Sequence, residues 1–378
     1  MTTLEQASMS ELLDWLDASC AWLWDHREEA FVDSRLSREG FELAVSEALP
    51  SLRDLKEALD SMVNVGAKPM GNVALVLPNN VETAILRPLF WSLLARNKTR
   101  VKIPSGSAGG ELPSLGSGFA RLTFSALTHT NASLAASVTA HRFDRHDLEA
   151  LDALIVNVDA VHVFGRDETV EAIRRLAPEG HVVPHGSGLG VMLLHASRRA
   201  DFDVVARRIA RDIARHDQRG CLSPHALLIE DGNAEDAEVL ATAMHHALCS
   251  LDVELPRGLL SPHEAQSERA WRDVALATGE LESSKAHSVS IETSWPPRDC
   301  PGLRNIAIHV GHAGRIDALM YSLGTHLKCL GILDQEALRA ARIRFAQASE
   351  VVVAGEMQTP RFNARMDGVP AHHGFVRV

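Results

Sequence analysis

Along the first half of the chain one pattern recurs: a short apolar run, a polar or glycine-containing turn, then a longer amphipathic segment. GNVALVLPNN (71–80) reads as a buried strand ending in a polar turn, and VETAILRPLFWSLLARN follows as a helix with an apolar face. KTRVKIPSGSAGGELPSLGSG is a short strand opening into a Gly/Ser-rich loop, with a helix from about residue 119 to residue 127. ASVTAHRF then reads as a strand, DRHDLEALDALIVNV as a helix, and AVHVFGRDETVEAIRRL as strand, tight turn and helix. Strands separated by helices form βα units and a mostly parallel sheet. Such sheets bind ligands in crevices outside the carboxyl ends of their strands.

The flanking regions differ in texture. Residues 1–64 read as helical, with Leu12, Leu13, Leu16, Trp22, Leu23 and Trp24 at near-helical spacing, a stripe expected to pack on the body. EGHVVPHGSGLGVMLL combines a strand-like run, a glycine-rich turn and a second apolar run. Its HGSGLG (185–190) precedes a strand and not a helix, so it is not read as a phosphate loop. Phe202, Val205, Ile209 and Ile213 make one buried helical stripe. HALLIED is a strand, DAEVLATAMHHALCSLDV a helix, and residues 252–300 one exposed helix with several loops. LRNIAIHVGH is a strand, RIDALMYSLGTHLKCLGI helix then strand, and the tail strand and loop.

A net charge of -11 leaves no basic surplus to neutralise phosphates, which argues against a nucleic-acid protein. Arg207, Arg208, Arg211, Arg215 and Arg219 are concentrated locally and read as a solvated helix face. The five cysteines (Cys20, Cys221, Cys249, Cys300 and Cys329) are odd in number, irregularly spaced and without a C-x-x-C. That disfavours a disulfide scaffold and a structural zinc site, and fits a reducing compartment. The acidic, amphipathic N-terminus is not a signal peptide, and no apolar stretch approaches the roughly 20 residues of a membrane span. A cytoplasmic protein with no metal site is the expectation.

In ARDIARHDQRGCLSPHALLIE, an arginine-rich helical segment runs into Gly220, read as a left-handed helix terminator, and Cys221 follows at once. Helix-end carbonyls oppose a thiolate there. His216 and Arg219 offer compensating positive charge, and Ser223-Pro224 a new helical turn whose N–H groups favour the anion. By chemistry alone Cys221 is either a nucleophile or a small buried hydrophobe.

The string Asp217, Gln218, Gly220, Cys221, Ser223, Pro224 resembles the nucleophile segment of the acyl-CoA reductase family that includes the fatty-acid reductase of bacterial luminescence (LuxC-like), within the aldehyde dehydrogenase superfamily. GNVALVLPNNV, RNKTRVKIPS, VHVFGRDETVEAIRRL, HLKCLGI and MDGVPAH resemble further blocks of that family in its order, from about residue 70 onward. Glu82 stands where relatives often carry a proline, and Pro104 is an extra residue in its block.

The resemblance implies an α/β, aldehyde-dehydrogenase-like fold, with a Rossmann-type cofactor domain and an α/β catalytic domain carrying the nucleophilic cysteine. The boundaries expected are 1–64 helical, 65–182 dinucleotide-binding, 183–335 catalytic, and 336–378 returning to the cofactor domain. It implies that Cys221 attacks an acyl thioester, on coenzyme A or an acyl carrier protein, and that NADPH reduces the acyl-enzyme to an aldehyde. Asn80 would supply the oxyanion amide, a role its neighbour Asn79 contests; without the family both asparagines read as a turn. Lys102 would contact the cofactor's ribose or its phosphate, with Ser105 just beyond, and Gly165 and Thr169 would lie beside the cofactor. Oxidising aldehyde dehydrogenases place a water-activating glutamate where this chain has VVPHGSG, with Pro184 or His185 instead. His185 is the candidate general acid/base, ahead of His326 and His216, although with 19 histidines a structural role is the default for any one. A homo-oligomer and a partner enzyme handling the acyl group or aldehyde are further implications. Two other readings stand beside this one: a thioester-exchanging acyltransferase without a redox step, and a non-catalytic complex partner.

Overall fold

The computed structural model describes residues 2–105, 114–144, 146–178 and 180–378. The expected Gly/Ser-rich loop falls partly at 106–113, outside the described residues. The chain divides into two units: Met1–Arg35, Phe41–Ser187 and Arg361–Val378 form the first, and Leu36–Gly40 with Gly188–Pro360 the second. Residues 336–360 therefore stay in the second unit, and the chain re-enters the first at Arg361.

In the first unit, four helices precede the sheet: α1 (Met9–Asp25), α2 (Arg27–Phe31), α3 (Arg38–Ala48) and α4 (Leu52–Asn64). Ser8 and Ser51 start α1 and α4 with reciprocal capping boxes to Glu11 and Asp54. Leu12, Trp15, Leu16 and Leu23 of α1 are buried. Trp24 departs from the expected stripe: it is exposed, and the Arg27 guanidinium lies over its ring at 4.1 Å.

A short strand β1 (Lys68–Pro69) pairs antiparallel with Val376–Arg377. The main elements follow as β2 (Asn72–Val76), α5 (Leu86–Leu94), β3 (Lys98–Lys102), α6 (Ser117–Ala135), β4 (Val138–His141), α7 (Leu148–Ile155), β5 (Ala160–Phe164), α8 (Asp167–Arg174) and β6 (Val182–His185). The sheet order is β4-β3-β2-β5-β6, with every pair parallel. Counted in order of appearance that is 3-2-1-4-5, the doubly wound arrangement, whose strand order reverses between β2 and β5. Glu82 is buried, which is why a carboxylate is tolerated here: it accepts from Ser34 Oγ at 2.9 Å, Arg35 N at 3.2 Å and Gly116 N at 2.8 Å.

The second unit contains β7 (Leu189–His195), α9 (Phe202–Ala214), β8 (Pro224–Glu230), α10 (Ala234–Glu254), α11 (Pro262–Thr278), β9 (Glu280–Ser283), β10 (Ser288–Ile291), β11 (Asn305–Gly311), α12 (Ala313–Leu323), β12 (Leu327–Ile332), α13 (Gln335–Arg344) and β13 (Glu350–Val353). Its seven-stranded sheet runs β13-β12-β7-β8-β11-β10-β9, parallel except for the edge strand β9. The expected loops of 252–300 thus include the β9–β10 hairpin. The α9 stripe Phe202, Val205, Ile209 and Ile213 is buried, each side chain stabilising the unit by about 1.5–3 kcal/mol.

The arginine-rich segment does not form one solvated face. Arg207, Arg208 and Arg211 are exposed, but Arg215 donates to Gly355 O at 2.7 Å, and Arg219 is enclosed by Asp217 and Glu264 at 3.0 and 2.9 Å. Beside them Arg304, only 1% exposed, binds Asp217 at 2.7 Å, Asp252 at 2.9 Å and Leu255 O at 2.7 Å. Replacing Arg304 with Met leaves two carboxylates without their shared cation. The expected loss is about 3–5 kcal/mol of unfolding free energy, read by denaturant titration.

Candidate active site

Cys221 lies at the first central position of a tight turn, in which Ser223 N donates to Gly220 O at 3.1 Å. Gly220 and Ser223 are buried while Cys221 is exposed. Its local frame differs from the sequence expectation in three respects. First, α9 ends at Ala214, and the left-handed residues are His216, Asp217 and Gln218, not Gly220. Asp217 is held there by Arg304 and by Gly258 N at 3.0 Å, while Gln218 Nε2 donates to Pro224 O and Asn305 O at 2.7 and 2.9 Å. Three non-glycine residues at positive φ are costly, and these side-chain bonds offset the strain. Second, Pro224 opens a strand, so Ser223-Pro224 starts no helical turn. Third, burial pushes the His216 imidazole down to about 4, so it is neutral at pH 7 and supplies no positive charge.

Glycine at 220 has a different cause: a Cβ there would lie 2.6 Å from Gln358 Oε1. Gln358 Nε2 donates to Ser223 Oγ and so packs along the turn. Gly190 on β7 serves the same turn from its other side. Its N–H donates to Ser223 O at 3.0 Å, and a Cβ would meet the carbonyls of Leu222 and Ser223 at 2.4 and 2.6 Å. Segment 355–358 is held in turn by Asp212, which accepts from Gly355 N at 2.6 Å and Met357 N at 3.1 Å. Asp212 is buried, and desolvation pushes its carboxyl up to about 7.

The other cysteines sit in less reactive settings. Burial pushes Cys20 and Cys300 up to about 12, and raises Cys329 well above the ordinary thiol range. Cys300 also donates its S–H to Asn305 O. Cys249 is exposed, and its thiol too is raised, chiefly by desolvation and then by Asp252 and Glu282.

In the first unit the six remaining sequence-predicted residues lie at the carboxyl ends of parallel strands or in the segments that follow them. Asn80 follows β2, half-buried. Asn79 is exposed, and its Oδ1 accepts from Ser114 Oγ at 2.9 Å. Lys102 ends β3 and is buried; burial lowers its ammonium pKa against the opposing pull of Asp144, and Nζ stands 5.0 Å from the Phe143 ring centroid. Ser105 Oγ donates to Phe143 O at 2.8 Å. Gly165 follows β5, its N–H donating to His185 O, and Thr169 is exposed in the first turns of α8. Asp167 and Glu168 open that helix, so its N-terminus does not favour an anion.

His185 ends β6, buried. Its Nδ1 lies 2.6 Å from Asp367 Oδ2, its Nε2 3.1 Å from His162 Nδ1, and its ring stacks on Phe164 at 4.0 Å. A carboxylate only accepts, so Nδ1 carries a proton. His162, held down to about 3 by burial and then by His185, is neutral and stacks on Phe375 at 3.9 Å. Both nitrogens of His185 are therefore engaged within this unit. Of the weaker candidates, His326 lies in a short turn before β12.

Asp212, Gln358, Gly190 and Arg304 escaped the sequence reading. Asp212 carried a signal: it falls between Ile209 and Ile213, on a stripe otherwise apolar, where a carboxylate needs partners. Gln358 and Arg304 are far from Cys221 in sequence and carried none.

Comparison with known proteins gives this arrangement its class. The model of the acyl-CoA reductase (LuxC) family matches residues 35–378. A NAD-dependent benzaldehyde dehydrogenase from Corynebacterium glutamicum is similar in structure, with TM-score 0.76 at 13% identity over 99% of this chain and 85% of that one. An oxidoreductase from Marinobacter aquaeolei gives 0.77 at 12% identity, over 98% and 85%. A NADP-dependent glyceraldehyde-3-phosphate dehydrogenase from Bacillus halodurans, complexed with NADP, gives 0.74 at 14% identity, over 99% and 86%. No curated protein matches the chain significantly. The fold is that of the aldehyde dehydrogenases. The chain belongs to the LuxC acyl-CoA reductase family, and is an oxidoreductase that reduces acyl groups to aldehydes. No described helix is long and apolar enough to cross a membrane.

The Asp212 carboxyl generates a pH test. Its folded-state pKa lies above the unfolded value, so the stability it contributes is fully present below about pH 4 and lost as pH rises through about 7. Arg215 opposes the shift, and the nearby Cys329 thiol stays protonated throughout. The melting-temperature advantage of wild type over Asp212→Asn is expected to shrink from pH 5 to pH 8, measured by thermal unfolding.

Proposed function

We propose that the protein reduces an acyl thioester, on coenzyme A or a carrier protein, to an aldehyde through a Cys221 acyl-enzyme, with NADPH as reductant. The observation that carries this reading is the exposed Cys221 on a turn whose end residues, Gly220 and Ser223, are buried and braced by Gly190 and Gln358. Cys221 Sγ attacks the thioester carbonyl carbon; the acyl–sulfur bond of the carrier breaks, and the carrier thiol leaves with the proton. Exchange of one thioester for another is nearly balanced in energy, so the difficult reduction is split into two easier steps. The backbone N–H of Cys221 and the Asn80 amide are the proposed oxyanion donors.

When bound, the nicotinamide dinucleotide supplies a hydride. The donor set at the strand ends of the first unit fits such a group. A doubly wound sheet presents its switch point there, and Lys102 is a buried cation at the end of β3. The acidic opening of α8 leaves Lys102 as the charge that selects a ribose phosphate, with the Ser105 hydroxyl beside it; Gly165 and Thr169 offer backbone approach. Where oxidising relatives carry a glutamate this chain has Pro184 and His185, which favours reduction over hydrolysis of the acyl-enzyme. His185 is the proposed acid/base, a role that requires its Nε2 to part from His162.

Cys221→Ala is expected to abolish acylation by acyl-coenzyme A in intact-mass spectra and to lower aldehyde formation on the order of 10⁴-fold or more. Acylation of wild type without NADPH oxidation would favour the acyltransferase reading instead. Lys102→Ala is expected to raise KM for NADPH about 10- to 100-fold while acylation stays normal. Unchanged affinity removes Lys102 from the cofactor site.

A further inference from the structure

A second cluster of reactive side chains lies in the second unit, on residues the proposed reaction does not use. On α10, His245, Cys249 and Asp252 are spaced four and three residues apart, which stacks them along one helix face. His287 closes the β9–β10 hairpin and is buried. We propose that His245, Cys249 and His287 form a binding site for a thiophilic divalent cation, Zn2+ before others.

The geometry is that of a coordination shell. One ligand atom from each residue falls within 4.8 Å of the others. His287 Nε2 lies 3.2 Å from His245 Nδ1 and 3.9 Å from Cys249 Sγ, and Sγ lies 3.6 Å from His245 Nε2. A tetrahedral zinc with ordinary Zn–N and Zn–S bonds has edges of about 3.3 Å between nitrogens and about 3.6 Å between nitrogen and sulfur. Only one His245 nitrogen ligates, and its half-buried ring turns to present it.

The surroundings are those of a ligand and not of a core histidine. His287 Nδ1 donates to Asp252 Oδ2 at 2.7 Å, so the proton sits on Nδ1 and the lone pair of Nε2 faces His245 and Cys249. A carboxylate behind a histidine is the usual outer partner of a metal-bound imidazole, fixing its tautomer and raising its basicity. Asp252 is anchored in turn by Arg304 at 2.9 Å. The hairpin holding His287 is tight: Ser284 N donates to His287 O, and Ser284 Oγ accepts from Ala286 N and His287 N. Cys249 is exposed, which leaves a path for the ion. Water takes the fourth position.

Binding replaces the Cys249 S–H bond with a metal–sulfur bond and releases the proton to solvent. The bound ion joins α10 to the β9–β10 hairpin, the free edge of the sheet.

The test uses the full chain, stripped with a chelator and titrated with Co2+ and Zn2+. Expected are about one ion per chain and, with Co2+, a thiolate-to-metal charge-transfer band in the near ultraviolet. Cys249→Ser, an exposed and nearly isosteric change, should abolish the band and weaken Zn2+ at least tenfold; His245→Gln should weaken it as well. Cys221→Ser should leave both unchanged, which separates this site from the proposed nucleophile. The proposal is overturned if wild type takes up no ion, or if the band survives Cys249→Ser and vanishes in Cys221→Ser.

Discussion

The arrangement around Cys221 depends on one buried cation. Arg304 is almost wholly out of water, and a lone guanidinium there would be prohibitive; Asp217, Asp252 and the Leu255 carbonyl make it tolerable. In return it holds Asp217 in a left-handed conformation that the residue would not keep unaided. The positive-φ run at 216–218 turns the chain from α9 into the tight turn carrying Cys221. The exposed thiol is thus a result of backbone direction set several residues earlier.

Around this anchor the second unit is built for close approach. Gly190 and Gly220 are glycines because carbonyls and the Gln358 amide occupy the space a methyl would need. Asp212 secures the segment bearing Gln358 by accepting from the backbone N–H groups of Gly355 and Met357. In the first unit the logic is topological. Parallel strands in 3-2-1-4-5 order bring Asn80, Lys102, Ser105, Gly165, Thr169 and His185 to the same ends of the strands, although they span more than a hundred residues of sequence.

That division explains what could be read in the sequence. The alternation of VALVL, RVKI and VHVF with amphipathic helices announces a parallel sheet, so the strands of the first unit were legible, whereas the six positions at their ends were singled out by the resemblance of their motifs and not by the pattern itself. The string around Cys221 was legible as a motif but not as a shape. Gly220 suggested a helix terminator, yet the left-handed residues are His216, Asp217 and Gln218, stabilised by Arg304 and Asn305 nearly ninety positions away. The β9–β10 hairpin was missed because ELES and SVSI are short, with polar residues facing buried partners. The His245, Cys249 and His287 cluster was hidden for a similar reason: two members share a helix face, but the third arrives from a hairpin, and no C-x-x-C spacing signals it.

The strand pairing of Val376–Arg377 with β1 has a consequence for synthesis on the ribosome. Residues 361–378 are wired into the first unit by several independent bonds: Arg87 and Trp91 to Phe362 O, Asn97 to Phe375 O, and His185 to Asp367. The second unit, 188–360 with 36–40, has all its strands in hand before those residues emerge. The half translated first is therefore the half completed last: its five-stranded sheet can form while β1 still waits for its partner strand, a state that chaperones would be the first to meet.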